Sequence, residues 1–429
     1  MSSTTPHIGA ELKSERLRRG LTLDDVAHSI CSYSYLSLVE SGKRNPSPRI
    51  ETALRARLGL PTTESPGLYI TNVDYQMAFI AYRRNEIPQW QEFLGRLPED
   101  SNETLHLLAL ADEHEGNLDR AVALYLEVLE STPAPIEFHV RVAIGAIRAL
   151  CGRTEYLRAV TIFDDIVDRY SEVLHHFPSM HIELWAMMAN VFAETNQLSR
   201  ATAALHTLAG LKPADAEDTL NKHWGAADAY RTVGDWAQAE HHTTEMLRLV
   251  DRRTHPHKWA ANTTNLVTIA LNRGTREYAA MIVQQYEALH TLHELHSAHE
   301  ERQARLNLAL LYALAQDPTS AQAELFGITE HIARHPGIES GDMHVELARV
   351  YLALNDTASA LDALTRATQM LDDSPHTRTS AIAWRTMADL YERAGDTVAA
   401  ASCLKQALDR LGIHSTLEVV PLVFDPSMP

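Results

Sequence analysis

The chain has 429 residues, 45% of them hydrophobic and 22% charged, with a formal net charge of -18. That is too long for one small module and too apolar for a disordered chain, so more than one folded unit is expected. No apolar run approaches the roughly 18 residues of a membrane span, the start MSSTTPHIGAELK lacks a signal-peptide layout, and Cys31, Cys151 and Cys403 are too scattered for a disulfide framework or zinc ribbon, which points to a soluble cytoplasmic protein with no membrane partner.

The first expected element is a helix over about Ile8 to Arg19, facing a small core with Ile8, Leu12 and Leu17. Thr22 then caps a short helix, LDDVAHSI, by accepting a first-turn amide hydrogen. After a tight break at Cys31–Ser32, a second helix runs SYSYLSLVES and Gly42 stops it. Val26, Ala27, Ile30, Leu36 and Val39 are spaced to share the core, which leaves Ser32, Tyr33, Ser34 and Ser37 on an outer face. A helix pair of this kind can lay its second helix in the DNA major groove. Tyr33, Ser34 and Ser37 would then meet base edges or thymine methyl groups, while Lys43, Arg44 and Asn45 hold phosphates. Residues 1–60 hold nine Lys/Arg and six Asp/Glu, a balance of +3, and leave -21 for the rest. Phosphate affinity grows with the number of phosphates neutralised, so DNA contact is expected from residues 1–60 alone.

A linker is expected over 61–72, where PTTESPG (61–67) favours turns. From 73 to 413 the pattern is helical and self-similar. Trp384, Met387, Ala388, Tyr391, Gly395, Ala400, Leu404 and Ala407 match the tetratricopeptide pattern, as do Trp185, Met188, Ala189, Phe192, Ala201, Leu205, Leu208 and Pro213. Anchor positions at Asp112, Leu150, Phe192, Tyr230, Ala270, Tyr312, Tyr351 and Tyr391 recur about every 40 residues. Small residues let the two helices of a hairpin approach, and stacking buries the apolar face that one hairpin cannot bury alone. Eight or nine hairpins result, and the fold class is all-α: a helix-turn-helix domain plus a tetratricopeptide superhelix. The tail over 414–429, with β-branched residues around Pro421, reads as an extended cap on the last hairpin, or as a segment folding into the groove or onto a partner chain.

The first helices of such hairpins line a concave groove. Repeat spacing places there Arg141, Arg148, Asn190, Trp224, Asp228, Asn265, Asn307, Glu346, Arg349, Arg385 and Asp389. An asparagine amide both donates and accepts, so Asn190, Asn265 and Asn307 could hold an extended peptide backbone whatever its sequence. Trp224, Asp228, Arg148, Arg349 and Arg385 would then select its side chains. The alternative is an inner face that is merely solvated, or one that docks a basic protein.

The string SYLSLVESGKRNPS resembles the ending of lambda-repressor-like, XRE-type helix-turn-helix modules, SYLSxIExGxRxPS. Module, linker and long-period repeats in that order resemble the RRNPP regulators, and the short turn SICSYS is similar to that of PlcR-like members. That resemblance implies a transcription regulator that binds a palindromic operator as a homodimer and is switched by a short signalling peptide. The segment ANVFAETNQ (189–197) and the pattern at Asn307 to Tyr312 resemble peptide-contacting helices of that family, which carries a ligand role to Asn190 and Asn307, and more weakly to Asn265. Two departures stand out: Leu23 replaces a commonly phosphate-contacting glutamine, and no Arg or Lys lies between Ser32 and Ser41, so DNA shape is expected to contribute to specificity.

His290, His293, His296 and His299 recur every third residue but lack the H-E-x-x-H spacing of a zinc helix. No metal, cofactor or catalytic constellation is expected, and the chain does not read as an enzyme.

Overall fold

The computed structural model describes residues 8–28, 30–46, 48–60, 69–83, 86–131, 135–335, 337 and 339–413. Most of the linker (61–68) and the whole tail (414–429), with its cap and groove readings, lie outside the described residues. Every regular element among the described residues is a helix.

The N-terminal module is built from α1 (Ile8–Arg18), α2 (Leu23–Ala27), α3 (Tyr33–Glu40) and α4 (Pro48–Arg57). Thr22 caps α2 in a reciprocal box: its hydroxyl accepts the Asp25 N–H at 3.1 Å, and Asp25 accepts the Thr22 N–H at 2.8 Å. The core is Leu12, Val26, Ala27, Leu36 and Val39, completed by Leu54 and Leu58 from and just beyond α4. Gly9 lets α1 touch α3, because a Cβ there would lie 1.9 Å from the Val39 carbonyl oxygen.

The expectation for Leu17 is corrected. It is 58% exposed, and Arg16 turns inward in its place. Arg16 lies four residues after Leu12 and so shares its face, whereas Leu17 is rotated away by a further residue. Arg16 donates to both Glu40 carboxylate oxygens, at 2.6 and 2.7 Å, and to the Leu21 carbonyl at 2.9 Å.

The remaining helices are α5 (Val73–Arg83), α6 (Ile87–Leu94), α7 (Asn102–His114), α8 (Leu118–Glu130), α9 (Ile136–Gly152), α10 (Tyr156–Tyr170), α11 (Pro178–Glu194), α12 (Leu198–Gly210), α13 (Ala216–Val233), α14 (Trp236–Leu249), α15 (Pro256–Arg273), α16 (Tyr278–Glu294), α17 (Ala298–Leu314), α18 (Pro318–Arg334), α19 (Gly341–Ala353), α20 (Thr357–Leu371), α21 (Arg378–Arg393) and α22 (Thr397–Arg410). They form successive two-helix repeats, with α5, α7, α9 and so on as first helices and α6, α8, α10 and so on as second helices.

One turn recurs between first and second helix. Gly116, Thr154, Asn196, Gly234, Gly274, Gln316, Asn355 and Gly395 take left-handed φ values, from 58° at Asn196 to 89° at Gly395. The next residue's N–H returns to a carbonyl five positions back: Asp112, Leu150, Phe192, Tyr230, Ala270, Tyr312, Tyr351 or Tyr391. These eight acceptors are the anchor positions of the sequence repeat. In four of the turns the following aspartate, Asp235, Asp317, Asp356 or Asp396, then caps the second helix.

By packing, the described chain separates into two compact units: one of residues up to 191 with 210–214, the other of 192–209 with 215 onward. The first holds the N-terminal module, the hairpins through α10 and α11 as far as residue 191. Tyr75, His106, Tyr125 and Phe138 are its buried aromatic centre, with the Tyr75 hydroxyl 3.0 Å from His106 Nδ1. Burial keeps that imidazole neutral, its pKa pushed down to about 3. The second unit has a continuous apolar core running from Val267 to Ala407, including Trp384, Met387, Ala388 and Tyr391. Leu404 departs from its expected core place and is 41% exposed on α22.

Candidate DNA-reading surface and repeat groove

Helix α3 presents the outer face expected of it. Tyr33 is 57% exposed, Ser34 is exposed and Ser37 half-buried. Ser32 also caps α3, its hydroxyl accepting the Tyr35 N–H at 3.2 Å. The basic loop after α3 divides in two. Lys43 is exposed to solvent, whereas Arg44 and Asn45 are half-buried. Arg44 Nη2 donates to Asp168 at 2.7 Å and its guanidinium lies 4.9 Å from the Tyr35 ring centre. Asn45 Nδ2 donates to Asp165 at 2.7 Å.

Tyr35, Asp165 and Asp168 are therefore part of this surface, and sequence reasoning had singled out none of them. The acidic run in FDDIVD is legible as a charged stretch of a second helix. Nothing local says that it meets the module.

The groove residues separate by environment. In the first unit Arg148 on α9 is half-buried and paired: it meets Glu113 of α7 and Glu183 of α11, the latter at 3.1 Å, linking three successive first helices. Asn190 is half-buried on α11. In the second unit Trp224 of α13 is 48% exposed, and Asn265 of α15 and Arg385 of α21 are exposed. Asp228 pairs with Arg231, and Arg385 with Asp389, each along its own helix. Arg349 of α19 pairs with Glu346 at 2.8 Å and reaches back to Asn272 of α15 at 3.1 Å.

Asn307 has a different occupation from the one expected. It is 3% exposed, and the two hydrogens of its amide nitrogen are shared among the Thr264 carbonyl, the Thr268 hydroxyl and the Gln285 side-chain oxygen, each 3.0–3.1 Å away. Its oxygen accepts from Thr268 at 3.3 Å and Gln303 at 3.2 Å. With both ends of the amide taken, Asn307 fastens α17 to α15 and α16 and presents nothing to a groove ligand.

A further contact joins distant repeats within the second unit. Glu194 at the end of α11 accepts the Thr379 N–H at 3.0 Å and its hydroxyl. Arg378 donates to the Thr232 carbonyl at 3.1 Å and to Asn196 at 3.0 Å. The start of α21 is thus clasped to the ends of α11 and α13, and Glu194 sits favourably at the positive end of α21. These residues lie in and around the segment singled out for peptide contact, and here they hold the solenoid to itself.

The histidine series is divided among three elements. His290 and His293 lie on α16, His296 in the following turn and His299 on α17. Among the described residues no group of three or more His, Cys, Asp or Glu side chains is arranged to hold a metal ion, and no helix is long and apolar enough to cross a membrane.

Residues 7–66 match the helix-turn-helix domain family. The N-terminal module is a helix-turn-helix domain. Behind this helix-turn-helix lie repeats of tetratricopeptide type, which makes the fold class all-α. Comparison with curated proteins finds no match. Similar solved structures include PlcR of Bacillus thuringiensis in complex with the peptide PapR7 and DNA, at 16% identity over 74% of this chain and 98% of that one, TM-score 0.27. Aspartyl phosphate phosphatase F of Bacillus subtilis is 12% identical over 80% of this chain and 95% of that one, TM-score 0.46. A STAND signal-transduction ATPase with a tetratricopeptide repeat sensor from Pyrococcus horikoshii is 13% identical over 95% of this chain and 63% of that one, TM-score 0.49. With each of these scores below 0.5, the likenesses carry no argument about what this chain binds.

Proposed function

We propose that this protein is a non-enzymatic, cytoplasmic transcription regulator that binds a palindromic operator as a homodimer and is switched by a short peptide held on the first helices of its solenoid. The helix-turn-helix domain is the observation that carries the DNA-binding half: α3 offers Tyr33, Ser34 and Ser37, with Lys43 beside it, on a basic segment of an acidic chain. The peptide half is supported by the solvent-facing side chains on α13, α15 and α21. An exposed tryptophan, an amide and a guanidinium on first helices supply an apolar anchor, a backbone-reading group and a carboxylate partner.

A peptide can shift DNA binding only through different affinities for two arrangements of the paired modules, and a tenfold effect needs about 1.4 kcal/mol. The test is mass spectrometry of peptides that co-purify with the protein, followed by calorimetric titration of the recovered peptide. Trp224→Ala and Asn265→Ala are each expected to weaken that titration about tenfold, with basal affinity for duplex DNA unchanged. Wild-type peptide affinity in both variants would remove the groove from the reading, and recovery of a folded basic protein instead would replace the peptide with a protein partner.

A further inference from the structure

The loop that follows α3 is already seated on an acidic surface. Asp165 and Asp168 lie three residues apart on α10, so both carboxylates leave the helix on one side. Asp165 takes the Asn45 amide and Asp168 the Arg44 guanidinium, each at 2.7 Å. The loop is shaped from within the module, since Arg44 lies over the Tyr35 ring and the Tyr35 hydroxyl donates to the Asn45 carbonyl at 3.4 Å. Its two polar side chains then meet α10, Arg44 through Nη2 and Asn45 through Nδ2.

A carboxylate offers a guanidinium and an amide N–H the same thing a phosphate does: anionic oxygens at hydrogen-bond distance. Duplex phosphates reaching Arg44 and Asn45 in these positions would have to displace Asp165 and Asp168. Helix α10 carries Asp164, Asp165 and Asp168 against Arg158 and Arg169, a balance of -1, and Arg169 lies 3.5 Å from Asp165, so it is the placement of Asp165 and Asp168 against the loop that makes the surface.

We infer that the acidic face of α10 is a docking surface for this chain's own DNA-reading loop and competes with DNA for Arg44 and Asn45. The arrangement seen is the one closed to duplex, and release of the loop from α10 is the step that admits it. This rests on the reading of the module as a DNA binder. Both partners of the Arg44–Asp168 pair are more than a third exposed, so water screens it and the lock is shallow enough for duplex or a groove ligand to open.

Two experiments test it on the full chain, with a fluorescent mixed-sequence duplex at low salt as the probe. Asp165→Asn with Asp168→Asn is expected to tighten duplex binding about tenfold. Glu127→Gln with Glu130→Gln on α8, which removes the same charge elsewhere, is expected to change it by less than about twofold. Equal gains in the two variants would reduce the effect to net charge and overturn the lock. In the second experiment Asn45→Cys is combined with Asp165→Cys. Oxidation is expected to join the two and abolish duplex binding, and reduction to return it to the level of the Asn45→Cys single variant. Unchanged duplex binding by the cross-linked protein would show the contact to be harmless and overturn the lock. Absence of duplex binding in every protein, wild type included, would overturn the DNA-binding reading and the lock with it.

Discussion

Glu40→Ala is expected to unfold the helix-turn-helix domain while leaving the solenoid helical. Glu40 and Arg16 are 9% and 8% exposed and joined by two hydrogen bonds. Removing the carboxylate strands a guanidinium in the core, which costs about 3–5 kcal/mol. A domain of this size has only about 5 kcal/mol to lose. Circular dichroism should therefore show a separate low-temperature transition of small amplitude, with duplex binding gone and the main melt in place. Arg16→Met with Glu40→Leu should restore most of the lost stability, because the buried charge is then absent rather than unpaired. A melt of Glu40→Ala indistinguishable from wild type would mean that the pair is solvated and the core is held by Leu12, Leu36 and Val39 alone.

Asn307→Leu is the second large effect, and it separates a structural asparagine from a ligand-binding one. The substitution keeps the volume but leaves the Thr264 carbonyl, the Thr268 hydroxyl and the Gln285 amide without their shared partner, in a region where Gln285 is fully buried. A cost of about 2–4 kcal/mol follows from the desolvated groups left behind. Differential scanning calorimetry should find the main transition lowered by several degrees with no peptide present. Asn265→Ala, whose amide faces solvent on α15, should leave it where it is. An Asn307→Leu protein with an unchanged melt and no peptide affinity would return Asn307 to the ligand set.

Local pattern carried the backbone well. The eight anchors are the carbonyls that receive the closing hydrogen bond of each first-to-second-helix turn, so the repeat was legible even at Asp112, Leu150 and Ala270, where the side chain is not aromatic. The domain's core was legible for the same reason, with Leu12, Val26, Leu36 and Val39 fixed by helical spacing. What failed was side-chain choice between neighbouring faces: Leu17 looked apolar and therefore buried, yet α1 turns Arg16 inward because Glu40 is there to meet it. The helix α4, with Leu54 and Leu58 in the core, was not read as a separate element at all.

The site was legible only where a residue's role is local. Tyr33 and Ser34 are exposed because the capped helix α3 rotates them outward. The asparagines of the first helices are equivalent by repeat position, but Asn307 meets Gln285 and Thr268 while Asn265 meets solvent, a difference set by neighbours in other helices. Likewise the pairing of Arg44 and Asn45 with Asp168 and Asp165 spans more than a hundred residues, and no spacing rule reaches that far.

What α3 reads is the most direct point of decision. Full-length protein can be used to select duplexes from a random pool, with Tyr33→Ala combined with Ser34→Ala run in parallel. The expected result is an enriched inverted repeat with half-sites about one helical turn, 34–36 Å, apart, lost in the double variant whose melt is unchanged. A pool that shows no enrichment, or the same enriched repeat with and without Tyr33 and Ser34, would contradict DNA reading by α3.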